Sequence, residues 1–291
     1  MSELVGQLLF GLAIGSIYSL IAIGFSMIYR ATGLLHFAHP DLMMMGGMIG
    51  YTLATRTALP MPLLFILSGF AVAVLSYLID RFGFRPMRRH GASLNLVIAT
   101  IGWSIILVNV ALFVWGTAPL SYPQAYLPKG RMIAGIVIVP QNLVMLGVGL
   151  AAMAALHAFF TRTVMGQALR ATAENPVAAQ LMGIRVERMM ALTFLLSGFL
   201  AGGAGVLVAS IVYANFDLGL IGIKSFAAAV LGGFGHVGGA MAGGLLLGVV
   251  ETIGAFYVSS AFKDIIAYTL LILILLLRPQ GIFGGGATRP D

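Results

Sequence analysis

Few side chains in this sequence can carry chemistry, and their spacing narrows what that chemistry is. His36 and His39 stand three residues apart, close enough to share a helix face, with Asp41 just beyond them. A metal site would need a third ligand beside the two imidazoles, and Asp41 is available. The pair reads as hydrogen-bonded histidines of a structured turn, and no metal is expected. The 291-residue chain has no cysteine, which excludes disulfides, thiol nucleophiles and Cys-ligated metals. HExxH, GxSxG and paired-carboxylate motifs are absent. The glycines near Lys224 lack the GxxxxGK spacing that cradles ATP phosphates, and Leu196-Ser197-Gly198 lies within an apolar run. The sequence therefore predicts no catalytic residue and no cofactor in this chain.

What remains is polar groups set in apolar surroundings. Glu251 is the one acid well inside an apolar run, between Leu245 and Tyr257. A carboxylate at the bilayer centre costs roughly 2.5–3.5 kcal/mol on insertion scales, so it must face protein or water. It either lines a pathway or bonds a neighbouring helix. Thr100, Ser104 and Asn109 share another run and pose the same choice. With His36 and His39 they are the candidate pathway residues.

The elements holding these groups follow from the charges. Hydrophobic residues make up 60% of the chain and charged ones 9%, against roughly 45–50% and 25% in soluble domains. Mean hydropathy is +1.03. A soluble globule and a disordered chain are both excluded, leaving an all-α polytopic membrane protein. Charge-free runs cover 4–29, 42–55, 57–79, 90–128, 132–161, 189–216, 225–250 and 265–277. A helical span needs about 20 residues. Run 90–128 reads as a helix over about 93–115, then a loop with Gly116, Pro119, Pro123 and Pro128. Run 132–161 reads as a helix of about 136–160, with Pro140 as an alternative point of entry. In run 225–250 the cluster Gly232-Gly233-Phe234-Gly235 breaks the helix. The expectation is a half-helix or re-entrant segment near 225–234, then spans over about 240–258 and 263–277, giving about eight spans and one partial one.

Sixteen Lys+Arg against nine Asp+Glu give a net charge of +7. The basic residues sit in short gaps between apolar runs, as the positive-inside rule requires, and not on one nucleic-acid-binding face. With the N-terminus outside, the inside gaps hold Arg30, Arg81, Arg85, Arg88, Arg89, Arg162, Arg170, Arg185 and Arg188. The outside gaps hold Arg56, Lys129 and Arg131. The side of the C-terminus depends on the partial span. Gly11/Gly15, Gly46/Gly50, Gly198/Gly202, Gly239/Gly243 and Gly244/Gly248 are small-xxx-small pairs that let helices approach closely; packing within the chain is expected at each. The first and sixth spans are both glycine-rich and each precedes a short apolar segment, a faint pseudo-repeat.

The longest inside loop, 161–188, carries its own helix. Asn175 is a good N-cap and Pro176 suits the first helical position. Glu174 complements the positive helix end, and Gly183 suits the left-handed position past the end. A helix over Pro176–Met182 is predicted, with Ala178, Ala179, Leu181 and Met182 on its face. Such a face either fills a partner groove or lies on the membrane.

The loop resembles the EAA-type coupling loop of ABC importer permeases, and the chain resembles the permease subunits of branched-chain amino acid ABC importers over nearly its whole length. The likeness is carried by Gly11–Gly24, Phe37-Ala38-His39, Arg85-Pro86, Ala99–Gly102, Ala173-Glu174-Asn175-Pro176 with Gly183-Ile184, Lys224–Gly235 and Arg278–Gly284. The family pattern Asn-Phe-Ala-His-Gly-Glu is here His36-Phe-Ala-His-Pro40-Asp41, a departure that bears on selectivity if the turn touches substrate. The resemblance implies one transmembrane permease domain over 1–291 in a bacterial inner membrane. It implies separate ATPase subunits, a second permease subunit in a heterodimer, and an extracytoplasmic solute-binding protein. Branched-chain amino acids or related small solutes are the implied cargo. Glu174, Asn175, Pro176, Ala178, Ala179 and Gly183 are the implied ATPase-coupling residues. The competing reading is an ion-coupled secondary transporter, for which Glu251 is the one in-span group available.

Overall fold

In a bilayer every backbone polar group must find its partner internally, which leaves helices as the form for long apolar runs. The computed structural model, which describes residues 2–33, 35–88, 93–123, 130–133 and 136–284, is accordingly helical. Arg89, Lys129 and Pro128 lie outside the described residues. α1 (Ser2–Thr32) stops where Gly33 adopts φ 72°. α2 (His39–Arg56) opens with Pro40 in its first turn. α3 (Met61–Ile79) continues through a π-helical turn, Asp80–Phe84, into α4 (Arg85–Arg88). α5 (Ser93–Trp115) ends before Gly116 at φ 79°. A short ribbon of β1 (Arg131–Ile133) and antiparallel β2 (Ile136–Ile138) precedes α6 (Pro140–Arg162). Then follow α7 (Val164–Glu174), α8 (Pro176–Leu181), α9 (Val186–Ala209), α10 (Leu218–Gly232), α11 (Val237–Tyr257) and α12 (Lys263–Leu277).

Among the described residues six helices are long and apolar enough to cross a membrane: Glu3–Thr32, Met61–Arg88, Leu94–Trp115, Pro140–Arg162, Val186–Ala209 and Val237–Tyr257. The other expected segments are helical but shorter, with 18 residues in α2 and 15 each in α10 and α12. Three boundaries differ from expectation. The sixth span ends at Ala209 and not near 216. Residues 136–138 form β2, so the helix begins at Pro140, the first position Pro tolerates. The partial helix begins at Leu218 and not near 225, because Lys224 does not end it but lies buried within it.

Glycine seams fix the packing, and all of the small-xxx-small pairs are filled from within the chain. Gly11 and Gly15 of α1 lie on Gly248 and Leu245 of α11; a β-carbon on Gly15 would stand 2.8 Å from Leu245 Cα. Gly198 and Gly202 of α9 meet Ser76 and Val72 of α3, Gly46 meets Gly202, Gly50 meets Val206, and Gly239 and Gly243 meet Gly232 of α10. So α1 rides on α11 as α9 rides on α3, and α1 and α9 touch each other. α1 and α9 are each followed by a shorter helix, α2 after the non-helical residues 35–38 and α10 after the non-helical 210–217. The two shorter helices meet near their N-terminal ends, where a β-carbon on Gly222 would lie 2.9 Å from Pro40 Cβ. This arrangement follows the order of the faint repeat.

Residues 281–284 pack back on the bundle. The Ile282 N–H donates to Leu231 O at 2.9 Å, and the Phe234 ring packs on Tyr29 at 4.4 Å. Residues 281–284 thus share the side of Arg30, the inside by the positive-inside assignment.

Candidate functional site

The turn between α1 and α2 folds back into the helix bundle. Gly24 of α1 lacks the β-carbon that would strike the His39 ring, which packs edge-on against Phe25 at 4.7 Å. His36 is 3% exposed, set between Phe84 at 5.1 Å and Phe194 at 5.7 Å. Burial, with His39 nearby, pushes its imidazole down to about 3, so it is neutral at ordinary pH. Thr100 of α5 accepts the Phe37 N–H at 3.3 Å and pins the turn. Ser104, one helical turn further along α5, interacts with the Asp41 carboxylate.

Of these groups, His36 and Ser104 border a cleft of about 320 Å³, whose wall also includes Pro40, Phe25, Ile223 and Phe226, while Thr100 and His36 border a smaller neighbouring cavity. The cleft's volume falls within the roughly 300–1,000 Å³ of small-molecule sites. Four expected pathway residues, His36, His39, Thr100 and Ser104, therefore gather at one place. Asn109 does not join them. It lies on the exposed side of α5, with its amide donating to Ile105 O at 2.8 Å. Among the described residues no group of three His, Cys, Asp or Glu side chains is placed to hold a metal.

Glu251 also stands apart, in a separate charged cluster. Its Oε1 lies 2.7 Å from Lys224 Nζ and 3.6 Å from Lys263 Nζ, and Lys224 also pairs with Asp264. The Glu251 side chain is 0% and the Lys224 side chain 9% exposed. Each charge offsets the desolvation of the other, and the pair ties α10 to α11, with α12 attached through Asp264. Reading the sequence alone misses Lys224, whose charge marks a span end. The available signal is positional: Lys224 and Glu251 lie at comparable distances on either side of the glycine turn, so an antiparallel fold-back puts them opposite each other.

The loop between α6 and α9 forms two short helices. Thr163 caps α7 by accepting the Gly166 N–H at 3.0 Å, and Asn175 caps α8 by accepting the Ala178 N–H at 2.9 Å. Gly183 takes φ 83° just past the end of α8, where its N–H reaches Gln180 O. The helix ends one residue short of the expected Met182, which serves as C-cap. Its outward face carries Val177, Ala178, Leu181 and Met182, while Ala179 turns inward and is buried. Both flanks of α8 are tied to the bundle. Glu174 pairs with Arg30 at the end of α1 at 3.1 Å, and Glu187, at the start of α9, pairs with Arg85 of α4.

Comparison with known proteins places this architecture among transport proteins. Residues 7–275 match the family model described as the permease component of branched-chain amino acid transport systems. The chain is 38% identical to the high-affinity branched-chain amino acid transport system permease protein BraD of Pseudomonas aeruginosa, over 98% of this chain and 96% of that protein. It is 35% identical to the corresponding permease protein LivH of Escherichia coli K12, over 98% and 96%. The solved structure of PsaBC from Streptococcus pneumoniae in complex with Fab has a like fold, with a TM-score of 0.50 at 17% identity over 93% of this chain and 91% of that one.

Proposed function

Because the chain belongs to the family of branched-chain amino acid transport system permease components, we propose that it moves branched-chain amino acids or related small polar solutes across a bacterial inner membrane. It is a multi-pass permease subunit of an ABC importer and not an enzyme. In this reading ATP hydrolysis belongs to separate ATPase subunits and an extracytoplasmic binding protein delivers the solute. A second permease subunit completes a heterodimeric pathway, and 1–291 acts as one transmembrane domain.

The observation that supports the coupling role is α8, a helix capped at both ends that presents Val177, Leu181 and Met182 to solvent. Exposed apolar side chains on a rigid helix fit a partner groove. Closure of paired ATPase subunits would push α8, and the push would reach α1 through Glu174–Arg30 and the α3–α4 segment through Glu187–Arg85. Since α1 packs on α11 and α9 on α3, the spans would rock as two packed groups. Glu251, the acid an ion-coupled carrier would require, is already held by Lys224 and Lys263, which disfavours that alternative.

Leucine uptake in cells that depend on this system tests the reading. Uptake should fall with ATP depletion and survive collapse of the ion gradients; the reverse outcome would make the chain an ion-coupled carrier. Affinity purification of the chain should retain ATPase subunits.

A further inference from the structure

Resting on that reading, we propose that the cleft between the α1–α2 turn, α5 and α10 is the binding subsite for an α-amino acid with an aliphatic side chain, and that His36 is its specificity-determining polar group. Buried polar atoms in proteins nearly always have hydrogen-bond partners. Both ring nitrogens of His36 lack one, although the side chain is buried and borders the cleft. Phe84, Phe194 and His39 pack around the ring without bonding either nitrogen, and the side chain borders both this cleft and the smaller cavity it shares with Arg88. Thr100 is occupied by Phe37 N–H and Val97 O and serves as a positioning residue for the turn.

The remaining wall fits an amino acid end to end. Asp41 is the carboxylate next to the cleft, beside Ser104 of its lining, and suits an ammonium group. The His36 N–H suits the carboxylate, and the Ser104 hydroxyl, which donates to Asp41, holds that acid in place. Leu35, Ile101, Ile223 and Phe226 suit a branched aliphatic side chain. The site lies where two broken helices, α2 and α10, meet near their N-terminal ends. That is where discontinuous helices of transporters turn positive dipole ends toward anionic substrate groups.

The test uses the assembled importer in cells whose leucine uptake depends on it, with membrane abundance measured in parallel. His36→Phe keeps a ring in the aromatic nest and removes both nitrogens. It should lower leucine import at least tenfold while ATP hydrolysis stimulated by the loaded binding protein persists. His36→Gln, which keeps a donor and an acceptor, should restore import to within about threefold of the parent. Import by His36→Phe within twofold of the parent would overturn the proposal. Should His36→Phe fail to accumulate, the cysteine-free sequence supplies a second measurement. A single Ser104→Cys should react with a small methanethiosulfonate during turnover and be slowed at least threefold by leucine; labelling indifferent to leucine would overturn the proposal. Failure of the permease reading looks different, since the parent importer would then take up no leucine at all.

Discussion

Lys224 Nζ lies 2.7 Å from Glu251 Oε1, joining the two arms of the α10–α11 hairpin through a pair of charges removed from solvent. Lys224 keeps Asp264 when Glu251 is removed, whereas Glu251, 0% exposed, keeps only Lys263 at 3.6 Å when Lys224 is removed. Lys224→Met should therefore cost roughly 3–5 kcal/mol and sharply lower the thermal midpoint in detergent. Lys224→Met combined with Glu251→Leu should recover most of that loss, because an apolar pair of similar volume carries no desolvation penalty. A double-mutant cycle on melting temperature measures the coupling, and additive single losses would refute it.

The α1–α11 seam admits no side chain at Gly15. Gly15→Leu would drive a side chain into the Leu245 backbone, costing about 1–3 kcal/mol or more by overpacking and reducing the amount of folded protein in membranes. Gly102, whose β-carbon would meet nothing within 4 Å, provides the control: Gly102→Ala should stay within about 0.5 kcal/mol. Fluorescence-detected size exclusion of both variants compares them directly.

The caps of α8 offer a separation of folding from coupling. Asn175→Ala removes the acceptor of the Ala178 N–H and should cost about 1 kcal/mol locally. Gly183→Val imposes a β-branched residue at φ 83°, worth about 1–3 kcal/mol of strain. Both changes lie outside the bundle, so the spans should still assemble while ATPase association and uptake decline. Unchanged uptake with Gly183→Val would show that α8 does not transmit the stroke.

His36 predicts a pH dependence. An unfolded imidazole titrates near 6.5, whereas the folded one is pushed down to about 3. Below pH 6.5 the unfolded chain binds a proton that the folded chain refuses, so stability falls as pH drops from about 6.5 toward 3 and is fully present above that window. The neighbouring His39 adds to burial in disfavouring a proton there, while Arg88, which borders the same small cavity, is paired with Asp80 at 2.7 Å. Melting temperatures at pH 7.5 and pH 5 should therefore differ in the parent and differ less in His36→Gln.

Much of the architecture was legible in the sequence because membrane physics acts locally. Scarce charge located the spans, and Asn175, Pro176 and Gly183 announced a short capped helix through backbone rules that reach only a few residues. The glycine pairs announced close approach, though not to what. The sequence also held the constellation His36, His39, Thr100 and Ser104 as separate polar residues, with nothing to join α5 to the turn after α1.

Only the tertiary structure decided which polar groups share a space. It brought Thr100 and Ser104 to the His36 turn, left Asn109 on the exposed side of the same helix, and moved Glu251 into a different cluster. It turned Lys224 from a marker of a helix end into the buried partner of Glu251, and turned Ala179 inward from the face it was expected to share. The reason is range. Propensity, capping and hydropathy are settled within a turn or two of helix, whereas a buried charge or an open imidazole is explained only by the residue opposite it, and packing between distant helices chooses that residue.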